Sequence, residues 1–141
     1  MLGHGFPKEA AFKHFFNEAM SIHLIVSSFL IPELNTWAVD SSGEVVSGEI
    51  DFYINGQVQW CLELLRNGEK IGEDLARFDK INGKYREVEA KQYLVVDCRL
   101  PKKGRGAQID PNRCTLDFED NYTRCRVRMR CEDEESVNLV P

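Results

Sequence analysis

Two β-like runs, Val45 to Ile54 and Val58 to Leu65, stand on either side of Asn55-Gly56-Gln57, and that closeness commits the middle of the chain to an antiparallel hairpin. Within each run polar and apolar residues alternate, as they do where one face of a sheet is buried. Glu49, Asp51 and Tyr53 interleave with Ile50, Phe52 and Ile54; Gln59, Cys61 and Glu63 interleave with Val58, Trp60, Leu62 and Leu64. A two-residue turn would set Asp51 against Trp60 and mix the faces. A three-residue loop over Asn55–Gln57 instead pairs Ile54 with Val58, Phe52 with Trp60 and Ile50 with Leu62. Two apolar rows then meet the core, and Glu49, Asp51 and Glu63 share the opposite face.

The flanking segments are read from their periodicity. From Pro7 to about Leu30, Ala11, Phe12, Phe15, Phe16, Ala19, Ile22 and Val26 recur at helical spacing, which predicts a long helix buried on a wide face and stopped by Pro32. Thr36 to Asp40 forms a first strand, so that three strands make a meander. After Gly68 a short helix runs from about Glu69 to Phe78 with Ile71, Leu75 and Phe78 on one side. Lys91 to Arg99 has the β-branched centre of a buried, central strand. Pro101 to Arg113 is a Pro-, Gly- and Lys/Arg-rich loop, and Thr115–Phe118 with Tyr122–Met129 make a closing hairpin. A single α/β domain over residues 1–130, followed by an acidic, loose tail over 131–141, accounts for the chain of 141 residues.

Five scattered cysteines with neither Cys-x-x-Cys spacing nor histidine partners exclude a structural zinc site, and point to buried thiols in an intracellular, reducing setting. No signal peptide and no membrane span are expected. A net charge of −5 excludes bulk attraction to nucleic acid, so any such surface must be local. Two local candidates exist. Arg124, Arg126, Arg128 and Arg130 alternate along one strand face, and Lys102, Lys103 and Arg105 cluster in the loop. The competing account of the first is pairing with Asp117, Glu119 and the acidic tail; that of the second is a solvated loop or a localisation signal.

Carboxylates on adjacent strands, such as Asp51 and Glu63, suit a hard divalent cation, which takes oxygen ligands and keeps its waters. The competing account is a solvated sheet face paired with Arg77 and Lys70. Cys61 shares that face but has no base beside it and reads as a packing residue.

The ordered motifs Gly48-Glu49-Ile50-Asp51-Phe52-Tyr53-Ile54, Gln59-Trp60-Cys61-Leu62-Glu63-Leu64-Leu65-Arg66-Asn67-Gly68, Ala76-Arg77-Phe78, Gly83-Lys84-Tyr85 and Tyr93-Leu94-Val95-Val96-Asp97-Cys98-Arg99 together resemble the C-terminal nuclease-like domain of Crinkler-family proteins. The resemblance covers most of the chain from the first helix to Arg99. It implies a restriction-endonuclease-like core of PD-(D/E)xK type, a central mixed β-sheet flanked by helices, acting on DNA as a Mg²⁺- or Mn²⁺-dependent endonuclease in a nucleus. Asp51 would be the central metal ligand and Glu63 the second.

Two positions depart from the family pattern. Leu65 stands where a lysine is expected two residues after Glu63, leaving Arg77, or less suitably Lys70, to supply the cation. In the first helix Phe15 stands at the acidic position of a Tyr-Gln-x-Glu-Phe pattern, with Glu18 one turn away as partial compensation. The expected site is therefore Asp51 and Glu63 on the metal, Arg77 as catalytic cation, Glu18 and Glu49 in support, and Lys102, Lys103, Arg105, Arg124, Arg126 and Arg128 on the nucleic acid. The alternative is a catalytically inactive nuclease fold serving as an effector module that binds nucleic acid or a protein partner. Oligomerisation is common in this class, and a homo-oligomer is compatible with either.

Overall fold

A computed structural model describes residues 8–68, 70–100, 111–119, 124–129 and 133–138. Helix α1 (Glu9–His23) precedes strands β1 (Leu30–Val39), β2 (Val45–Ile54) and β3 (Trp60–Arg66); helix α2 (Ile71–Arg77) is followed by β4 (Gln92–Arg99), β5 (Arg113–Phe118), β6 (Arg124–Met129) and β7 (Asp133–Asn138). The strands form one seven-stranded sheet in chain order. It is mixed: β1, β2 and β3 are antiparallel, β3, β4 and β5 are parallel, and β5, β6 and β7 are antiparallel again. The architecture is α/β, with β4 central as its apolar composition predicts.

Each face of the sheet has its own core. On one, Phe52, Ile54, Leu62, Leu64, Val96 and Cys98 pack beneath α1, which offers Phe12, Phe16 and Met20. Those three recur every four residues, a stripe narrower than the wide face expected from the sequence. Phe16 meets Phe52 at 5.0 Å between ring centroids, whereas Phe15, Ile22 and Val26 are exposed. On the other face, Ile50, Cys61, Leu65 and Val95 pack with Phe78 and Tyr85, and Phe78 stacks on Tyr93 at 4.4 Å. Among the described residues no helix is long and apolar enough to cross a membrane.

Several expected boundaries change. The first helix ends at His23, and residues from Leu30 onward belong to β1 rather than to helix or loop. Pro32 is tolerated within β1 because β1 is the outermost strand, where a missing N–H costs least. The β2–β3 pairing is Phe52 with Leu62 and Ile54 with Trp60, two residues beyond the expected register. The cause is remote. The Asn55 side chain accepts the Phe29 N–H at 2.7 Å, the Asn55 N–H donates to Phe29 O, and the Lys91 N–H donates to Gln59 O, so chain outside the hairpin holds residues 55–59 as one longer loop. A two-residue slip preserves which face each β3 side chain occupies. It leaves Trp60 beside Ile54 and partly exposed rather than buried against Phe52.

The face of β2 itself switches. Ile50 belongs to the α2-side core while Phe52 belongs to the α1-side core, although strict alternation would put both on one side. The β1–β2 ladder passes over Glu33 and Asp51 between the Pro32–Phe52 and Leu34–Ile50 pairs, and Glu33 has a left-handed φ of 52°. The strand turns about its axis at Asp51.

At the other edge, the segment expected as a loose tail supplies β7, paired antiparallel to β6. A bare β6 edge would expose a row of unpaired backbone groups, and β7 covers it.

Candidate functional site

The break at Asp51 and the two-residue slip act together on the two acids. Phe52–Leu62 is the last pair of the β2–β3 ladder, so Asp51 and Glu63 are neighbours just beyond its end, where the Leu64 N–H donates to Asp51 Oδ2. Under the expected register Glu63 would have faced Glu49. Both acids are nearly inaccessible, Asp51 at 6% and Glu63 at 3% exposure. They line a cleft of about 540 Å³ with Glu9, Lys13, Glu49, Lys70, Asp74, Arg77, Lys84 and Tyr85.

Asp51 is held at both oxygens. The Leu64 N–H donates to Oδ2 at 2.8 Å, and Lys13 Nζ from α1 lies 2.5 Å from Oδ1. Lys13 also reaches Glu9, one turn earlier, at 3.2 Å. Burial acts to lower the Lys13 pKa, but Asp51 and then Glu9 outweigh it and hold the ammonium above the usual lysine value.

Glu63 meets the Tyr85 hydroxyl, whose Oη lies 2.6 Å from Glu63 Oε1 and 2.5 Å from the Glu49 carbonyl oxygen. A phenol carries one hydrogen and cannot donate to two acceptors. The arrangement is satisfied when Glu63 is protonated and donates to Tyr85, which donates onward to Glu49. Electrostatics points the same way: burial first, then the Asp51 charge, pushes the Glu63 carboxyl well above the usual carboxylate range. Tyr85 is itself raised by burial and by Glu63, so it serves as a neutral hydrogen-bonding group.

Two glycines make room for Tyr85. A Cβ on Gly48 would lie 2.8 Å from Tyr85 Cε1, and a Cβ on Gly83 would lie 2.3 Å from Arg77 O. Only at glycine can β2 pass beneath the ring and the turn before it close on the end of α2. The Tyr85 N–H completes that closure by donating to Arg77 O at 2.9 Å.

Arg77 lies 2.8 Å from Asp74 and 4.0 Å from Glu63, and donates to Tyr85 Oη at 3.4 Å. Its first partner is therefore Asp74, a buried acid of its own helix. Cys61 is buried, and burial followed by the charge of Glu63 pushes its thiol up to about 12, in keeping with a packing role.

Of the residues singled out in the sequence, Asp51, Glu63, Glu49, Arg77 and Lys70 meet in the cleft. Glu18 does not. It is exposed on α1, 3.5 Å from His14. Arg124, Arg126 and Arg128 lie on β6, away from the cleft; Arg128 pairs with Asp117 at 2.5 Å and Arg124 with Glu119 at 3.7 Å. Lys102, Lys103 and Arg105 lie outside the described residues. Sequence reasoning missed Lys13, Glu9, Asp74, Lys84 and Tyr85. The Glu9-Lys13 spacing of one helical turn and the Gly83-Lys84-Tyr85 motif were the available signals.

Among the described residues no group of three or more His, Cys, Asp or Glu side chains is arranged to hold a metal unaided. Two carboxylates still suit Mg²⁺, which keeps several waters and needs few protein ligands. Two buried acids facing each other, one driven toward its neutral form by burial and then by the other's charge, are the donor set a divalent cation would compensate.

Comparison with known proteins adds no relative: no family model, curated protein or solved structure matches the chain.

Proposed function

We propose that this domain is a metal-dependent nuclease of restriction-endonuclease-like type, acting on phosphodiester bonds in DNA, as the resemblance to the Crinkler C-terminal domain implies. The observation that carries the reading is the opposition of buried Asp51 and Glu63 in an open cleft with a lysine ammonium 2.5 Å from Asp51. Mg²⁺ or Mn²⁺ held by this pair would activate water and stabilise charge on the phosphoryl group.

The chain's own residues take distinct parts. The Leu64 N–H orients Asp51, and Tyr85, fixed by Gly48 and Gly83, orients Glu63. Leu65, at the position where the family carries its lysine, is buried against the α2-side core. Lys13 supplies the cation from α1 instead, and this change of origin is what lets the motif survive without a lysine on β3. Lys13 rather than Arg77 is thus the proposed catalytic cation, placed to stabilise developing anionic charge. Arg77, engaged with Asp74, positions Tyr85.

Cleavage of supercoiled DNA, single-stranded DNA and RNA, in Mg²⁺, Mn²⁺ or chelator, tests the reading. Metal-dependent cutting is expected in the wild type and lost in Asp51→Ala, Glu63→Ala and Lys13→Met. A folded wild type that cuts none of them in either metal would overturn it in favour of a nuclease fold used for binding alone.

A further inference from the structure

The cleft is lined by four cations, and they fall into two classes. Lys13 is engaged with Asp51 and Glu9, and Arg77 with Asp74, Glu63 and Tyr85. Lys70 and Lys84 are exposed, and among the described residues neither has an ion pair or side-chain hydrogen bond. Their backbones, by contrast, are held. Lys70 adopts a left-handed φ of 59° at the start of α2, where its carbonyl accepts the Glu73 and Asp74 N–H groups at 2.9 and 3.1 Å. Lys84 sits between Gly83, packed on the end of α2, and Tyr85, and its Cβ would be 3.4 Å from a Cβ on Gly48. One lysine thus enters from the β3–α2 connection and the other from the α2–β4 connection, on the two chain segments that border the acid pair.

Charge makes the distinction consequential. The lining holds five carboxylates, Glu9, Glu49, Asp51, Glu63 and Asp74, against those four cations, in a chain of net charge −5. A polyanion finds no general attraction here and must be held by local cations whose charge is not already matched. Of the β6 arginines expected from the sequence to do this, Arg124 is turned to Glu119 and Arg128 to Asp117.

We infer that Lys70 and Lys84 form the phosphate grip of this cleft, binding backbone phosphates of a nucleic acid that flank the bond placed at Asp51 and Glu63. This rests on the nuclease reading and deepens it by assigning the substrate contacts.

The test is binding of labelled DNA to the full chain, with Ca²⁺ in place of Mg²⁺ and the DNA checked to be uncut, measured by anisotropy across a salt series. Each lysine that neutralises a phosphate contributes about one unit to the slope of log K against log salt. Lys70→Gln and Lys84→Gln are each expected to weaken binding roughly three- to tenfold and lower the slope by about one, with the double variant losing about two. Their melting temperatures should match the wild type, since both side chains are exposed. Wild-type affinity and slope in both variants, with cutting by the wild type intact, would overturn the grip and leave the nuclease reading standing. The same holds if the slope falls in Arg124→Gln or Arg126→Gln instead. A wild type that neither binds nor cuts nucleic acid would overturn both.

Discussion

Asp97 and the Asp51–Glu63 pair are buried acids on neighbouring strands of one sheet, yet their surroundings are opposite. Asp97 is fully inaccessible and saturated: it accepts Arg113 Nη2 at 2.6 Å and the Gly68 N–H at 2.6 Å, with Arg99 Nε at 3.4 Å. Those contacts tie the turn after β3 to the end of β4, and the Asn67 N–H adds a bond to Cys98 O at 2.8 Å. At Asp51 and Glu63 two acids confront each other, and the cleft beside them is open. Burial of a carboxylate is thus no mark of function in itself. What separates the two places is the balance of charge: two arginines meet the single carboxylate of Asp97, whereas Lys13 matches Asp51 and leaves Glu63 with Arg77 only at 4.0 Å, beside an open cleft.

The sharpest way to break this contrast is to remove each acid in turn and measure unfolding by urea. Asp97→Ala strands Arg113 and Arg99 in a buried setting and is expected to cost about 3–5 kcal/mol. Glu63→Gln, which relieves the confrontation with Asp51, should leave metal-free stability unchanged or raise it. Equal losses at the two sites would erase the distinction.

Divalent metal should act on one acid cluster only. At about a hundredfold excess over its dissociation constant, Mg²⁺ is expected to stabilise the wild type by about 2.7 kcal/mol in thermal or chemical melts. Asp51→Ala should abolish the gain; a stabilisation that persists in that variant would place the ion elsewhere.

Gly48→Ala probes the scaffold of the facing acids. The added methyl meets the Tyr85 ring, and forcing the two apart is expected to cost about 1–3 kcal/mol and weaken Mg²⁺ stabilisation, because Tyr85 would no longer hold Glu63 in place. Retained metal stabilisation would show that Tyr85 is dispensable.

The pH dependence of metal-free stability follows from Glu63. Its folded pKa stands above the ordinary 4.5, so across the window between those two values the folded state keeps a proton that the unfolded state has released. Stability attributable to Glu63 is therefore greatest below that window and falls as pH rises through it. Glu63→Gln should flatten this part of the profile; an unchanged slope would assign it to another group.

The smallest effect is expected on β6. The Arg124–Glu119 pair is exposed at both ends, and Arg124→Gln should change stability by no more than about 1 kcal/mol.

Much of the fold was legible in residue order. The bounds of β2 match the alternating run Val45 to Ile54, β4 is the central strand, and α2 carries Ile71 and Leu75 into the core as their spacing predicts. Asp51 and Glu63 were legible as acids on neighbouring strands, and a slip of two residues leaves the face of Glu63 unchanged, whereas alternation on β2 breaks at Asp51 itself. Arg77 was legible as a cleft residue, though its engagement with Asp74 was not, and that engagement is what passes the proposed catalytic part to Lys13.

Side-chain periodicity is a local property, set by backbone geometry within a few residues, and the chain's order alone was sufficient for it: strand and helix identity, the apolar faces, and two acids on neighbouring strands. Which charges meet those acids depends on packing between distant segments. Lys13 reaches Asp51 from α1, and Tyr85 reaches Glu63 because Gly48 and Gly83 let two backbones approach. The register that sets Asp51 opposite Glu63 hangs on Phe29 and Lys91, and the turn of β2 coincides with a left-handed residue on its neighbour. None of these is written in the spacing of the residues it affects, because each is settled by long-range contacts that exist only once the sheet has assembled.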